Sequence, residues 1–242
     1  MIDGEIMNEK DVELSKLKAS EEACRMISEI SGVNVVGLGT GSTVRKFIEV
    51  CFLQLRKFKI VASSPDTVVF TKKLGLYALD TLSVDEVDLY IDGADEVSTQ
   101  LDMVKGRGGA LLREKTLAYI SNIRVYVVDY TKYTGLDYLY VKPIPIEVVP
   151  VALNYVIRSI KKTGLFEPFL RTGGGKDGPV VTDNGNYIID LKPLKPVQNP
   201  REVHYSLKSI HGVVETGLFP SGELVDVVIV GYPDRAVVLR RQ

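Results

Sequence analysis

The stretch VNVVGLGTGSTVRKFIEVCFLQL (Val33–Leu55) decides the fold class. A β-branched run, Val33–Val36, precedes a glycine-rich segment, Gly37–Thr43, and an amphipathic segment, Val44–Leu55, follows it. A strand, a glycine loop and a helix in this order are typical of a phosphate-binding turn in an α/β protein. The stretch therefore predicts an α/β fold with a ligand site at the end of its first strand.

The spacing of the glycine loop indicates which ligand it binds. The pattern is G-x-G-x-G rather than G-x-G-x-x-G, and no acidic residue ends the next strand, which argues against a dinucleotide. No lysine follows Gly41, so a nucleoside triphosphate loop is also excluded. The hydroxyls of Thr40, Ser42 and Thr43, with the backbone N–H groups that open the next helix, suit a phosphate monoester.

The segments around this loop alternate between helix and strand. Apolar residues recur at helical spacing over Glu9–Ile30, with Gly32 as a stop signal. After the loop the pattern predicts strands at 59–62, 76–79, 88–91 and 124–128, with helices ending near Lys73 and spanning Ala110–Ile120. Strands separated by helices predict a parallel, doubly wound sheet with its crevice at the carboxyl ends of the strands.

The pattern changes after Lys132. Val141–Pro150 contains three prolines and is therefore a poor central strand but a good edge strand or domain entry. The pattern then predicts a helix at 151–162 and a strand at 168–171. An Asp-Asn-Gly-Asn turn at 183–186 leads into a second strand at 187–191, and a second helix follows at 201–210. We predict a small inserted α+β domain at 134–211, with 1–133 and 212–242 forming the large domain, which regains strands at 213–214, 225–230 and 236–239.

Composition excludes several classes of function. Thirty basic and 31 acidic residues give a net charge of -1, which favours neither nucleic acid nor a membrane surface. Cys24 and Cys51 lie in helix-like segments and are expected to be buried free thiols in a reducing compartment. The first 16 residues carry acids and no apolar run, so we expect no secretory signal and a cytoplasmic protein.

A second stretch, DLYIDGADEVSTQLDMVKGRGGALLREK (Asp88–Lys115), concentrates ionisable groups beside glycines. Asp92 and Asp95 follow an apolar strand, Lys105 precedes a glycine loop, and Glu114 lies in the first turns of the next helix. Removal of a proton next to a carbonyl requires a base, a positive field on the developing enediolate, and a group that moves protons at the oxygens. The stretch supplies all three without a metal or a cofactor.

Other interpretations of these acids remain open at this point. Asp-Gly is a strong turn signal, so the aspartates could simply form a turn. Three acids in five residues, Asp92, Asp95 and Glu96, could instead hold Mg²⁺ in a phosphotransferase or phosphatase. The two histidines, His204 and His211, both lie in the inserted unit, and we expect structural or surface roles for them.

Seven stretches resemble, in order and in spacing, the signatures of the type A ribose-5-phosphate isomerase family. They are GLGTGST (37–43), DGADEV (92–97), KGRGGALLREK (105–115), VVDYTK (127–132), PIEVVP (145–150), TDNGNYIID (182–190) and GVVETGLF (212–219). The resemblance implies a Rossmann-like domain with an inserted ferredoxin-like α+β domain, and a homodimer or homotetramer. It also implies metal-free and cofactor-free interconversion of ribose 5-phosphate and ribulose 5-phosphate through an enediolate.

The resemblance also implies residue roles. Glu114 matches the general base, Lys105 the lysine that stabilises the enediolate, and Asp92 and Asp95 the carboxylates that bind sugar hydroxyls and move protons. The substrate-binding residues implied are Thr40, Gly41, Ser42, Thr43, Gly93, Ala94, Gly106, Arg107, Gly108 and the phosphate-side Lys132.

Two positions depart from the family pattern. Arg107 stands where a glycine is usual, so the loop backbone or the local charge could differ. The N-terminal helix does not align without a gap, so both Lys16 and Lys18 are candidates for a further phosphate-side lysine. The alternative of a sugar-phosphate sensor lacks a DNA-reading unit and a basic patch, since only about 30 residues precede the first strand.

Overall fold

The computed structural model describes residues 8–173 and 177–241. The secretory-signal prediction for residues 1–16 thus falls partly outside the described residues. The helices are Glu9–Glu29 (α1), Ser42–Val50 (α2), Phe52–Leu55 (α3), Pro65–Lys73 (α4), Leu111–Tyr119 (α5), Leu153–Thr163 (α6), Pro200–Lys208 (α7) and Ser221–Leu224 (α8). Short 3₁₀ turns cover Thr81–Ser83, Tyr130–Lys132 and Pro150–Ala152.

Three sheets complete the secondary structure of the described residues. The strands are Val35–Leu38 (β1), Lys59–Ala62 (β2), Ala78–Leu79 (β3), Val87–Asp92 (β4), Glu96–Val97 (β5), Met103–Val104 (β6), Ser121–Asp129 (β7), Ile144–Val148 (β8), Phe166–Leu170 (β9), Tyr187–Pro193 (β10), Val213–Thr216 (β11), Leu218–Phe219 (β12), Val227–Gly231 (β13) and Ala236–Arg240 (β14).

The large sheet has the order β14-β13-β7-β4-β1-β2-β3 and is parallel except for the edge strand β14. This confirms the predicted doubly wound α/β class. The strand order reverses between β1 and β4, which makes their carboxyl ends the expected position of a ligand crevice. Helices α1 and α2 cover one face through residues such as Ile27 and Phe47, and Leu117 of α5 packs with Tyr90 on the other. Burial on both faces explains the apolar runs of β4 and β7.

The second sheet has the order β11-β8-β10-β9 and is built by the run β8-α6-β9-β10-α7-β11. Each pairing in it is antiparallel. This is the topology of a βαββαβ unit. Whether it forms a separate domain with the boundaries given above stays a prediction. A third, three-stranded sheet, β12-β6-β5, was not predicted from the sequence.

Two strand placements differ from the sequence analysis. The strand at 213–216 pairs with β8 in the second sheet, so its assignment to the large sheet was wrong. Ile144–Val148 is an interior strand rather than the edge strand that its prolines suggested. Proline has no backbone N–H to donate. The carbonyl of Pro145 accepts from the N–H of Gly217, which lies just beyond the last residue of β11, so the side of Pro145 that lacks an N–H faces the end of that strand. The β8–β11 pairing therefore loses no hydrogen bond.

The expectation of free thiols was also wrong. Cys24 on α1 and Cys51 after α2 form a disulfide, with their Cα atoms 5.3 Å apart. The sequence separation of 27 residues hides this proximity, which arises because α1 packs along α2. Among the described residues, no helix is long and apolar enough to cross a membrane.

Candidate active site

The site lies where β1 and β4 end side by side. Their register pairs Leu38 with Ile91, so the loops that follow both strands leave the sheet at the same edge. Gly39 makes the close approach possible, because a Cβ at that position would lie 1.9 Å from the carboxyl of Asp92. The neighbouring strand β7 ends at Asp129 on the same side. Three strand ends therefore enclose one crevice.

The crevice has a volume of about 270 Å³. Every substrate-binding and catalytic residue predicted from the sequence lines it, with the exception of Asp92. The lining consists of Val12, Lys16, Thr40, Gly41, Ser42, Thr43, Val44, Gly93, Ala94, Asp95, Lys105, Gly106, Arg107, Gly108, Glu114, Asp129, Thr131 and Lys132.

One end of the crevice is suited to a phosphate. Helix α2 begins at Ser42, and its N-cap, Gly41, has a φ of 120° and provides no side-chain cap. The first-turn N–H groups of a helix lack intrahelical acceptors and attract anions. Lys16 from α1 and Lys132 line the same crevice and add positive charge. Both lysines pair with a glutamate of α1, Lys16 with Glu13 at 2.6 Å and Lys18 with Glu21 at 3.0 Å. Lys18 does not line the crevice, so the structure selects Lys16 of the two candidates.

Thr40 lies in the crevice, and its hydroxyl is engaged by neighbouring side chains. Its Oγ1 donates to Oγ of Ser64 at 2.7 Å and lies 3.0 Å from Oγ of Ser63. The methyl group faces Gly108, where an added Cβ would be 3.9 Å away. Because a hydroxyl has only one proton to donate, Thr40 ties the glycine loop to the segment after β2.

Asp92 is fully buried behind the crevice rather than part of its wall. Its Oδ2 lies 2.7 Å from Nζ of Lys105 and also accepts the hydroxyl of Tyr90. Its Oδ1 accepts from the N–H groups of Gly93 and Thr40, at 2.7 and 3.2 Å. A carboxylate enclosed in this way cannot reach a sugar hydroxyl in this arrangement. It holds Lys105 instead, and Tyr90 is a partner that the sequence analysis missed.

Lys105 and Glu114 form the charged centre of the crevice. Nζ of Lys105 donates to the carbonyl of Gly93 at 2.6 Å and lies 3.4 Å from Oε2 of Glu114. Burial alone would lower the pKa of Lys105, but Asp92 and Glu114 outweigh burial and raise it. The ammonium therefore stays charged in a nearly dry position, where a fixed charge acts most strongly.

Glu114 has the electrostatic properties of a base. Burial, followed by the charge of Asp92, raises its pKa to about 8, although Lys105 acts in the opposite direction. Nζ of Lys105 is close enough to Oε2 of Glu114 for an ion pair but does not form a hydrogen bond with it. Oε2 of Glu114 is therefore a buried oxygen without a hydrogen-bond donor. A buried oxygen in that state is costly, and inside a crevice it makes Glu114 a candidate functional residue.

Asp95 is the carboxylate that faces the crevice. Its Oδ2 accepts from the backbone N–H of Arg107 at 3.0 Å, and the Arg107 guanidinium lies 3.7 Å from Oδ1. Arg107 does not have a positive φ, whereas Gly106 and Gly109 do, at 101° and 84°. The departure from glycine therefore changes the charge of the loop and leaves its backbone unstrained, and the side chain is 81% exposed.

The arrangement of the three acids does not suit the Mg²⁺ alternative. The Glu96 carboxylate accepts from the N–H groups of Tyr140, Val141 and Lys142 and is directed away from the crevice. Asp92 is occupied by Lys105, so only Asp95 remains available. In the described part of the chain no group of three acidic, histidine or cysteine side chains is placed to hold a metal.

Four residues of the lining were not predicted from the sequence: Val12, Val44, Asp129 and Thr131. Val12 and Val44 are ordinary helix residues, so no local signal marks them. Asp129 ends β7, and its Oδ1 accepts from the N–H of Thr131 at 3.0 Å, which shapes the turn that carries Lys132. An acid at the end of a strand followed by Tyr-Thr-Lys is a signal that could have found this turn. His204 lies elsewhere, buried beside Thr216, as a structural role requires.

A doubly wound sheet with a phosphate-suited helix end, a buried lysine and a carboxyl of raised pKa defines an α/β enzyme of the aldose–ketose isomerase class. The model of the family described as ribose 5-phosphate isomerase A (phosphoriboisomerase A) matches residues 59–235, more than half of the chain. The chain belongs to that family.

Solved structures agree with this assignment. The chain is similar to ribose 5-phosphate isomerase A from Methanocaldococcus jannaschii, with 35% identity, coverage of 94% of this chain and 98% of that chain, and a TM-score of 0.84. A D-ribose-5-phosphate isomerase in complex with phospho-erythronic acid is 36% identical, with coverage of 97% and 100% and a TM-score of 0.87. The Neisseria gonorrhoeae enzyme is 32% identical, with coverage of 96% and 98% and a TM-score of 0.84.

Proposed function

We infer that this chain interconverts D-ribose 5-phosphate and D-ribulose 5-phosphate through an enediolate, as an enzyme of the non-oxidative pentose phosphate pathway. One observation carries the proposal: Glu114 and Lys105 lie 3.4 Å apart in a crevice whose other end is built for a phosphate. A five-carbon sugar phosphate anchored at the helix α2 end would place its reacting carbons away from that anchor, at the Glu114 end. Family membership and the relative that binds phospho-erythronic acid support this assignment.

Glu114 is proposed as the base. Its carboxylate removes the proton from C2 of the open-chain aldose and returns it to C1, so the base is regenerated. The raised pKa makes the carboxylate a strong enough base to accept a carbon-bound proton. Because the pKa is about 8, roughly a tenth of Glu114 is ionised at pH 7, and this ionised fraction is the form that acts as a base.

Lys105 is proposed to stabilise the enediolate. Negative charge develops on the substrate oxygens as the C2 proton leaves, and a nearby fixed ammonium lowers the energy of that state. Asp92 holds the ammonium in place through its 2.7 Å ion pair, so its proposed role is positioning rather than sugar contact. Asp95, in the crevice wall, is proposed to bind sugar hydroxyls and to move the O2 hydroxyl proton to O1.

The phosphate is proposed to lie against the N-terminus of α2. The phosphate would contact the backbone N–H groups and the hydroxyls of Ser42 and Thr43. It would also contact the ammonium groups of Lys16 and Lys132. These groups bind the substrate and the transition state equally, so they set the affinity.

The direct test is an assay of purified protein with ribose 5-phosphate in the presence of EDTA. We expect ribulose 5-phosphate to form, and we expect Glu114→Gln to abolish turnover while inorganic phosphate still binds. Glu167→Gln, on an exposed strand position, serves as the matched control. No ketose from wild-type protein would refute the proposal, and binding without turnover would favour the sensor alternative. Strict metal dependence would favour the phosphotransferase.

The remaining proposals concern the setting of the enzyme. We propose a homodimer or homotetramer, and an inserted ferredoxin-like domain at 134–211, extended through β11. We also propose a cytoplasmic location, which now rests on the metabolic role, because the disulfide removes the argument from free thiols. Light scattering tests the oligomeric state, and cell fractionation tests the cytoplasmic location.

A further inference from the structure

The catalytic glycine loop is held by one side chain from the second sheet. Arg171 follows directly after β9, far from the loop in sequence. Its Nη1 donates to the carbonyl oxygen of Gly106 at 3.0 Å and to that of Arg107 at 2.8 Å. One guanidinium nitrogen therefore fixes two consecutive peptide groups of the loop that lies beside Lys105.

Arg171 is itself held from the opposite side. Its Nε donates to Oδ2 of Asp190 at 2.8 Å, and its Nη2 donates to Oδ1 of the same carboxylate. Asp190 lies on β10, which is paired with β9 in register. A two-point contact between a guanidinium and a carboxylate fixes the plane of the guanidinium as well as its position. The loop is thus attached to a rigid part of the sheet.

The orientation of the two carbonyls determines where the next N–H groups point. The described peptides are all trans, and in a trans peptide the N–H and C=O bonds point in opposite directions. The carbonyl of Gly106 faces Arg171, and the N–H of Arg107 accordingly reaches Asp95 at 3.0 Å. The carbonyl of Arg107 also faces Arg171, which turns the N–H of Gly108 away from it. Gly108 lines the crevice, and its N–H has no acceptor among the described residues.

We propose that Arg171 is a positioning residue that aims the Gly108 N–H at the oxygen of the substrate that becomes negative in the enediolate. The proposal rests on the isomerase function inferred above. The turn does not need Arg171 for closure, because the N–H of Gly109 already donates to the carbonyl of Gly106 at 3.0 Å. Loss of Arg171 would leave the turn but free the Arg107–Gly108 peptide to rotate, and the preorganised donor would be lost.

Kinetics of Arg171→Ala test the proposal. Removal of one preorganised donor costs about 10²- to 10³-fold in kcat in other enzymes. We expect a loss of about that size, with KM and the inhibition constant of inorganic phosphate changed by less than about threefold. Guanidinium chloride at millimolar concentration should restore part of the activity, and the acid limb of the pH profile should not move. Arg158→Ala, at an exposed position of α6, is the matched control and should behave as wild type.

A second variant keeps the proposal testable if the first is unstable. Arg171→Ala leaves the Asp190 carboxylate unpaired, whereas Arg171→Ala/Asp190→Ala removes both charges and should show the same loss of kcat. A kcat within about twofold of wild type would overturn the inference, and so would a loss that guanidinium does not restore and that parallels a fall in melting temperature. Neither result touches the proposed function, which only inactive wild-type protein would refute.

Discussion

The carboxylate of Glu114 and the ammonium of Lys105 lie 3.4 Å apart, and both side chains are almost fully withdrawn from solvent. Each shifts the pKa of the other toward the charged form, while burial opposes ionisation of both. The pH dependence of activity and stability should therefore report on this pair.

The first prediction concerns stability. The pKa of Glu114 is raised from 4.5 to about 8, so the stability contributed by its neutral form is complete below pH 4.5 and is lost as the pH rises through 8. Glu114→Gln cannot ionise and should melt at a higher temperature than wild type at pH 9. The two proteins should melt alike at pH 4. Thermal unfolding followed by circular dichroism checks this, and equal melting at pH 9 would contradict the raised pKa.

The second prediction concerns the acid limb of kcat/KM. Activity requires ionised Glu114, so kcat/KM should fall below a pH of about 8. Lys105→Met should lower kcat by about 10²- to 10³-fold and move the limb to higher pH, because the positive charge that lowers the Glu114 pKa is gone. Asp92→Asn should move it to lower pH. Shifts of the same sign in both variants would contradict this electrostatic account.

The third prediction separates two lysines on α1. Each pairs with a glutamate on the same helix, but of the two it is Lys16 that lines the crevice. Lys16→Ala should raise KM for ribose 5-phosphate by about tenfold with little change in kcat, because a phosphate contact binds substrate and transition state alike. Lys18→Ala is the control and should leave KM unchanged. A larger effect of Lys18→Ala would mean that the helix is placed differently.

The fourth prediction concerns Arg107. Its exposed guanidinium adds positive charge at the mouth of the crevice, and its backbone needs no special conformation. Arg107→Gly should leave kcat within about twofold, raise KM a few-fold, and weaken the salt dependence of kcat/KM, because attraction of the anionic substrate is reduced. Steady-state kinetics at salt concentrations from about 20 to about 500 mM check this, because the screening length changes several-fold over that range. A large fall in kcat would show that the guanidinium acts on Asp95 instead.

The fifth prediction concerns the disulfide between Cys24 and Cys51. It closes a loop of 27 residues and joins the two helices that flank the phosphate end of the crevice. Constraint of the unfolded chain by a loop of this length stabilises a protein by about 3.5 kcal/mol. Cys24→Ala/Cys51→Ala should lose about that much in urea unfolding, and wild type under reductant should approach it. No difference between oxidised and reduced wild type would contradict the disulfide.

The local sequence was sufficient for the fold class and for most of the candidate site. The order of strand, glycine loop and helix at Val33–Leu55 depends on neighbouring residues only, and the structure confirms it. Residues that follow the strands of a parallel sheet meet at one edge, which is why Gly41 and Asp95 lie in one crevice as predicted. Lys105 reaches the same crevice from β6 of the third sheet, which was not predicted. The family motifs added the roles, which remain proposals.

Tertiary structure alone decided the features that depend on contacts between distant segments. No local sequence pattern marks the burial of Asp92 or the disulfide between Cys24 and Cys51. None marks the contact of the Glu96 carboxylate with the N–H groups of residues 140–142 either. The same holds for Arg171, whose two partners in the glycine loop lie 64 and 65 residues away in the chain. A side chain's direction and partners are set by the packing of whole elements, whereas the sequence specifies only which elements form and which residues end them.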